Sequence, residues 1–277
     1  MFNRSFIRVV GLAQLAGLTC IICQAEELAE KGRAIYQARQ HVVVTVQVVL
    51  KSKVSMTGMP AQSSESRHDV TGTVLDPSGL VVLSLSATDP GSLLQNMMAG
   101  EDTRVKVETE LSDLKILLDD GTEIPAEVVL RDKDLDLAFI RPKDKLAVPL
   151  EALDFSNAAK ADVLDQVIAL NRLGNAVGRA YSASVERIAA IVRRPRLFYI
   201  PDANLTSTTL GAPAFALDGK PVGIFVMRSI KSKSSGGMGM LGGQNENMAG
   251  IIVPADDILK AAKQVPAVAE EKDKKSP

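Results

Sequence analysis

The sequence predicts an all-β fold, a barrel or sandwich capped by short helices. Three observations lead there. Short β-branched and apolar runs recur along the chain, the first being His41–Leu50 (HVVVTVQVVL). Turn signals separate them, among them Asp76-Pro77-Ser78-Gly79 and Asp119-Asp120-Gly121-Thr122. Helical periodicity is confined to the ends, at residues 26–40 and Pro254–Gln264. Many short strands with frequent turns are the pattern of an antiparallel barrel or sandwich.

Each element has its own reason. Residues 26–40 (EELAEKGRAIYQARQ) read as a helix with Leu28, Ile35 and Ala38 on one side and Glu27 and Lys31 one turn apart. His41–Leu50 is then a buried strand. Lys51–Ser66, polar and carrying Gly58 and Pro60, reads as a flexible hairpin connection. His68–Leu75 and Leu80–Ser84 are strands joined by the Asp76–Gly79 turn, and residues 89–103 form a loop with an apolar patch at Leu93, Leu94, Met97 and Met98. Arg104–Glu110 and Leu114–Leu118 read as two strands before the Asp119–Thr122 turn. Glu123–Arg131 and Leu137–Arg141 follow. Further strands are expected at Gln166–Asn171, Ala180–Arg193, Leu197–Ile200, Ala212–Ala216, Val222–Met227 and Ala249–Val253. Pro254 and Asp256-Asp257 mark the start of the last helix. Lys231–Asn247 (KSKSSGGMGMLGGQNEN) and the charged tail Pro266–Pro277 read as disordered, because they hold too few apolar residues to offset ordering entropy.

The 277 residues are 46% hydrophobic with a formal net charge of −1, a globular balance that gives no support to phosphate-driven nucleic-acid binding. The first 25 residues differ from the rest. Arg4 and Arg8 precede an apolar run, Val9–Cys23, and the small-residue exit Cys23-Gln24-Ala25. This is the pattern of a secretory signal peptide cleaved near Ala25. A retained membrane anchor is the other reading, but the run is short against the roughly 20 residues of a span. Both cysteines, Cys20 and Cys23, fall in this segment, so the mature chain is expected to be exported, periplasmic or extracellular, without disulfides. No other segment is long and apolar enough to span a bilayer. No glycine-rich phosphate loop or paired histidines call for a cofactor or metal. Arg193-Arg194-Pro195-Arg196 reads as a solvated connection rather than a docking patch.

Residues 206–223 (TSTTLGAPAFALDGKPVG) resemble the GNSGGP loop, strand and turn of HtrA/Deg-type trypsin-like serine proteases. Gly72-Thr73-Val74 with Asp76-Pro77-Ser78-Gly79-Leu80 is similar to that family's glycine-rich strand and turn. Asp132–Ile140 (DKDLDLAFI), Asp154-Phe155-Ser156, Val163–Leu170 and Ala249–Lys260 resemble its later segments in the same order. The likeness covers about residues 66–265. It implies a chymotrypsin-like double six-stranded β-barrel over residues 41–265, with short helices at both ends.

The resemblance also assigns the site residues. The histidine slot holds Ser86, and serine cannot serve as a general base near neutral pH. The aspartate slot holds Asp136. The nucleophile slot holds Leu210, which has no lone pair with which to attack a carbonyl. The oxyanion loop corresponds to Thr208, Thr209 and Gly211. Ser207 lies three positions early and reads as a solvated loop hydroxyl. The two histidines, His41 and His68, read as strand-end residues rather than relocated bases. The expected function is that of a non-catalytic peptide-binding or assembly subunit, without the PDZ modules many family members carry. The alternative is an active serine endopeptidase with an atypical site. The sequence names no partner beyond a protein or peptide.

Overall fold

The computed structural model describes residues 26–56, 60–88, 105–202, 206, 208–229 and 248–267. The expected signal peptide, the 89–103 loop, Ser207, the 231–247 segment and most of the charged tail lie outside these residues.

Among the described residues, twelve strands form two closed antiparallel barrels. In the first the order is β1 (Val43–Met56), β2 (Gln62–Val74), β3 (Val81–Ser84), β6 (Leu137–Pro142), β5 (Glu123–Asp132) and β4 (Val105–Leu117). In the second it is β10 (Pro213–Ala216), β11 (Pro221–Ser229), β12 (Met248–Pro254), β9 (Phe198–Pro201), β8 (Tyr181–Val192) and β7 (Gln166–Arg172). The expected double barrel is therefore observed. Helix α1 spans residues 26–39 and runs into a 3-10 turn, Gln40–Val42. Helix α2 is the single turn Leu85–Thr88, and α3 is Ala255–Ala262.

Three apolar clusters hold this arrangement. Val46, Val48, Leu83 and Ile116 fill the first barrel, and Val167, Ile188, Phe225 and Ile252 fill the second. The third cluster lies outside both and cements them, combining Phe139 and Leu137 with Phe215, Ile168, Ile35 of α1 and Ile258 of α3. Strands buried on two faces read as continuous apolar runs, which is why Val42, Val43 and Val44 are all buried in succession. In α1 only Ile35 of the expected stripe is buried; Ala38 is exposed and Leu28 partly so.

Two connections differ from expectation. Within Lys51–Ser66 the described residues on either side of 57–59 belong to paired strands. β1 and β2 stay paired out to Val54 and Gln62, so the hairpin extends as a polar arm with Lys51 opposite Glu65. Polar residues on both faces of a protruding ladder look like a loop in sequence, yet the backbone pairing sustains the strands. Likewise the segment around Leu111–Asp113 does not break β4. It is a β-bulge, where the register slips between Val49 and Leu50 and the Ser112 hydroxyl donates to Val49 O at 3.3 Å. His41 sits in the 3-10 turn rather than in the strand.

Leu164 carries a left-handed backbone, φ +74, on the approach to β7 while its side chain is 67% exposed. Left-handed geometry costs a leucine roughly 1–2 kcal/mol, and no burial offsets it here. Leu164→Gly is expected to raise stability by up to about 1 kcal/mol, after the greater chain entropy glycine brings to the unfolded state. Urea unfolding checks this; a loss of stability would show that Leu164 makes contacts that outweigh the strain.

Candidate functional site

The site is built where the ends of β3, β5–β6 and β11 meet. Asp136 occupies the β5–β6 turn at φ +56, and its carbonyl accepts the Leu85 N–H at 2.8 Å, tying the turn to α2. Its carboxylate accepts from the Ser84 hydroxyl at 2.5 Å, the Ser86 N–H at 2.8 Å and the Ser86 hydroxyl at 2.6 Å. The Met227 N–H of β11 completes the set at 3.1 Å. Burial pushes the Asp136 carboxyl above its ordinary range, and these hydrogen bonds offset only part of that rise. The Ser86 hydroxyl thus spends its proton on Asp136.

Just before β10, the described residues 206 and 208–212 form a tight turn that consumes its own donors. The Thr209 and Leu210 N–H groups donate to Thr206 O at 3.0 and 3.3 Å, and the Ala212 N–H donates to Thr209 O at 3.0 Å. The Thr206 hydroxyl lies 2.9 Å from the hydroxyls of both Thr208 and Thr209. Leu210 is buried at 8% exposure. Gly211, at φ +91, is pressed against β2. A Cβ there would lie 2.1 Å from Thr71 O. Two β2 hydroxyls fasten the loop from the other barrel: Thr71 donates to Thr208 O at 2.6 Å and Thr73 to Gly211 O at 2.8 Å.

A cleft of about 650 Å³ opens between the barrels. Ser86 and Leu210 both line it, and Asp136 lies directly behind Ser86. The structure therefore brings the three residues singled out in the sequence to one place, with Thr208 at the same wall. His68 lines the cleft too, exposed on β2, with its Nε2 3.0 Å from the Ser66 hydroxyl.

Other predicted positions fall elsewhere. His41 belongs to a polar clasp across the barrels that the sequence did not reveal. Arg172 is buried, pairs with Asp119 and stacks 4.0 Å over the Tyr181 ring. Tyr181 donates to Asp119 at 2.5 Å, and His41 Nδ1 lies 3.3 Å from the Tyr181 oxygen. Burial raises the Asp119 carboxyl, but hydrogen bonds from Tyr181 and Arg172 outweigh it and leave a net lowering. Burial and Asp119 together push the Tyr181 phenol up. Asp119 reads in sequence only as a turn residue, so its second task had no local signature. Arg196, from the basic run, lies 4.0 Å from Asp134. Among the described residues no three His, Cys, Asp or Glu side chains converge to hold a metal ion.

This double barrel, with a cleft between its halves, is the architecture of a trypsin-like peptidase domain. Residues 70–224, more than half of the chain, match the model of the family described as trypsin-like peptidase domain, and the chain belongs to that family. A "Probable periplasmic serine endoprotease DegP-like" of Bartonella henselae is 32% identical over 130 residues, 45% of this chain and 24% of the relative. A protein of the same description from Rhizobium meliloti is 31% identical over 143 residues, 50% of this chain and 27% of the relative. The chain thus spans about a quarter of the length of these HtrA/Deg-type relatives.

Proposed function

We propose that the protein is a non-catalytic member of the trypsin-like family, exported to the periplasm or beyond, that binds a protein or peptide partner as a binding or assembly subunit. Buried Leu210, in the position the resemblance assigns to the nucleophile, carries this reading. Two further observations support it. Ser86, in the histidine position, donates its hydroxyl hydrogen bond to Asp136. The Leu210 N–H, which in an oxyanion hole would face a developing negative charge, is turned to Thr206 O. A triad acts only as a complete geometric unit, and Asp136 alone cannot activate water or an alcohol.

The test is a fluorophosphonate probe, which labels activated serines, together with hydrolysis of unstructured casein. Neither labelling nor cleavage is expected; labelling of any serine would establish the alternative, an active endopeptidase with an atypical site. Export rests on the Arg4/Arg8 segment followed by the apolar Val9–Cys23 run, and on the periplasmic description of the relatives. Among the described residues no helix is long and apolar enough to cross a membrane. N-terminal sequencing of the mature protein is expected to begin at or near Glu26; an intact Met1 on cytoplasmic protein would refute export.

A further inference from the structure

Residues 173–180 join β7 to β8 in the second barrel, and one side chain of this loop crosses to the first. The loop is closed at its base, where the Leu173 N–H donates to Ala180 O at 2.9 Å. Within it lies a 3-10 turn, Asn175–Val177. The Val177 and Arg179 N–H groups donate to Gly174 O at 3.1 and 3.2 Å, and the Gly178 N–H donates to Asn175 O at 3.0 Å. Little packs against this loop. Residues 175–178 are exposed, and a Cβ at Gly174 or Gly178 would meet nothing within 4 Å.

Arg179 makes the crossing. Its Nε donates to Asp69 of β2 at 2.7 Å. Both partners line the inter-barrel cleft, Asp69 from the first barrel with Gln47 and Val70, Arg179 from the second with Gly174 and Asn175. An ion pair whose partners stand on opposite walls bridges the cleft at that point. The surrounding charges balance. Lys115 donates to Glu123 at 2.8 Å and lies 3.9 Å from Asp113. Lys115 foremost, with weaker attraction from Arg179 and Arg67, holds the Glu123 carboxyl below its ordinary range. Asp69, Asp113 and Glu123 thus stand against Arg67, Lys115 and Arg179, and the bridge acts through its own contact rather than through a net field.

The Arg179 backbone opposes this arrangement. It sits at φ +54, a left-handed conformation that is unfavourable for any residue but glycine. The charge-assisted bond to Asp69 offsets that strain while it is made. A strained, exposed loop held to the facing wall by one such bond is released when the bond is lost.

We propose that residues 173–180 form a strap across the inter-barrel cleft, latched by the Arg179–Asp69 bridge, and that unlatching moves the strap aside and opens the cleft. This device goes beyond the binding reading above and does not depend on what occupies the cleft.

The test uses the full chain with Cys20 and Cys23 changed to serine, so that a cysteine placed in the cleft wall by Ala87→Cys is its one thiol. Alkylation by the uncharged reagent N-ethylmaleimide reports access to the cleft, and amide hydrogen exchange reports the strap. Arg179→Gln is expected to speed both the alkylation and the exchange of the 173–180 amides by about tenfold or more, the factor that goes with one lost charge-assisted bond. Asp69→Asn, which removes the other partner, is expected to do the same. Arg179→Lys, which keeps the charge, is expected to fall between Arg179→Gln and the wild type. The β7–β8 ladder, where Val167 pairs with Glu186 and Leu170 with Ala183, is expected to keep its protection throughout. Unchanged alkylation or unchanged strap exchange in Arg179→Gln and Asp69→Asn would overturn the latch. So would an Arg179→Lys protein as open as Arg179→Gln, or a loss of protection shared equally by the ladder, which would mark general destabilisation in place of a moving strap.

Discussion

Replacing Gly211 with alanine is expected to destabilise the fold by at least about 3 kcal/mol, the scale of severe overpacking joined to backbone strain. Two independent costs combine at this position. The backbone sits at φ +91, where any L side chain is strained. The added methyl would also lie 2.1 Å from Thr71 O, a backbone atom that cannot rotate aside. Relief requires moving the whole 206–212 turn away from β2. That movement breaks the Thr71 and Thr73 hydrogen bonds to Thr208 and Gly211, which reach from one barrel to the loop of the other. Gly174→Ala is the matched control, since a Cβ there meets nothing within 4 Å. Its stability should change by less than about 1 kcal/mol, as at other unconstrained surface positions. Urea unfolding of the two variants decides the matter. A Gly211→Ala protein as stable as the control would mean that the turn is not seated against β2.

The fold was legible because its signals are local. Val42–Val44, the Asp76–Gly79 turn and the Asp119–Thr122 turn each announce their conformation within a few residues, and their order matched a double barrel. The polar arm was misread for a physical reason. Lys51 opposite Glu65 and Ser52 opposite Ser64 are held by backbone pairing, which no side-chain pattern reports. The resemblance singled out the candidate site residues one position at a time. Ser86, Asp136 and Leu210 do converge on the cleft although the chain separates them widely. The environment of those residues was not legible. That Asp136 would collect donors from Ser84, Ser86 and Met227, and that Thr206 O would take two successive N–H groups, depends on loops meeting in space. The clasp of Arg172, Asp119 and Tyr181 was hidden for the same reason: its members lie on different barrels.

Placing histidine and serine in the slots the resemblance assigns to them, Ser86→His with Leu210→Ser, is expected to yield a less stable protein with no measurable proteolysis. The first change is the easier. The backbone of Ser86 already bonds to Asp136, and an imidazole there stands beside the carboxylate that would orient it. The second change exposes the obstacle. Leu210 is buried, so a serine in its place loses about 2–3 kcal/mol of apolar burial and packing. The new hydroxyl would still rest on a turn whose 209 and 210 N–H groups point to Thr206 O. An oxyanion hole needs such donors aimed outward at one point, and loss of a single donor costs roughly a hundredfold or more in rate. Here the Leu210 donor is spent, and the hydroxyls of Thr206, Thr208 and Thr209 brace the turn that spends it. A triad without its oxyanion hole would bind and orient but leave the tetrahedral intermediate's charge unsupported. The measurement is cleavage of unstructured casein beside fluorophosphonate labelling. Weak labelling of the new serine without casein cleavage would fit an activated nucleophile lacking charge stabilisation. Efficient cleavage by the double variant would show that the loop re-forms around the new serine and would overturn the expectation that this turn blocks an oxyanion hole.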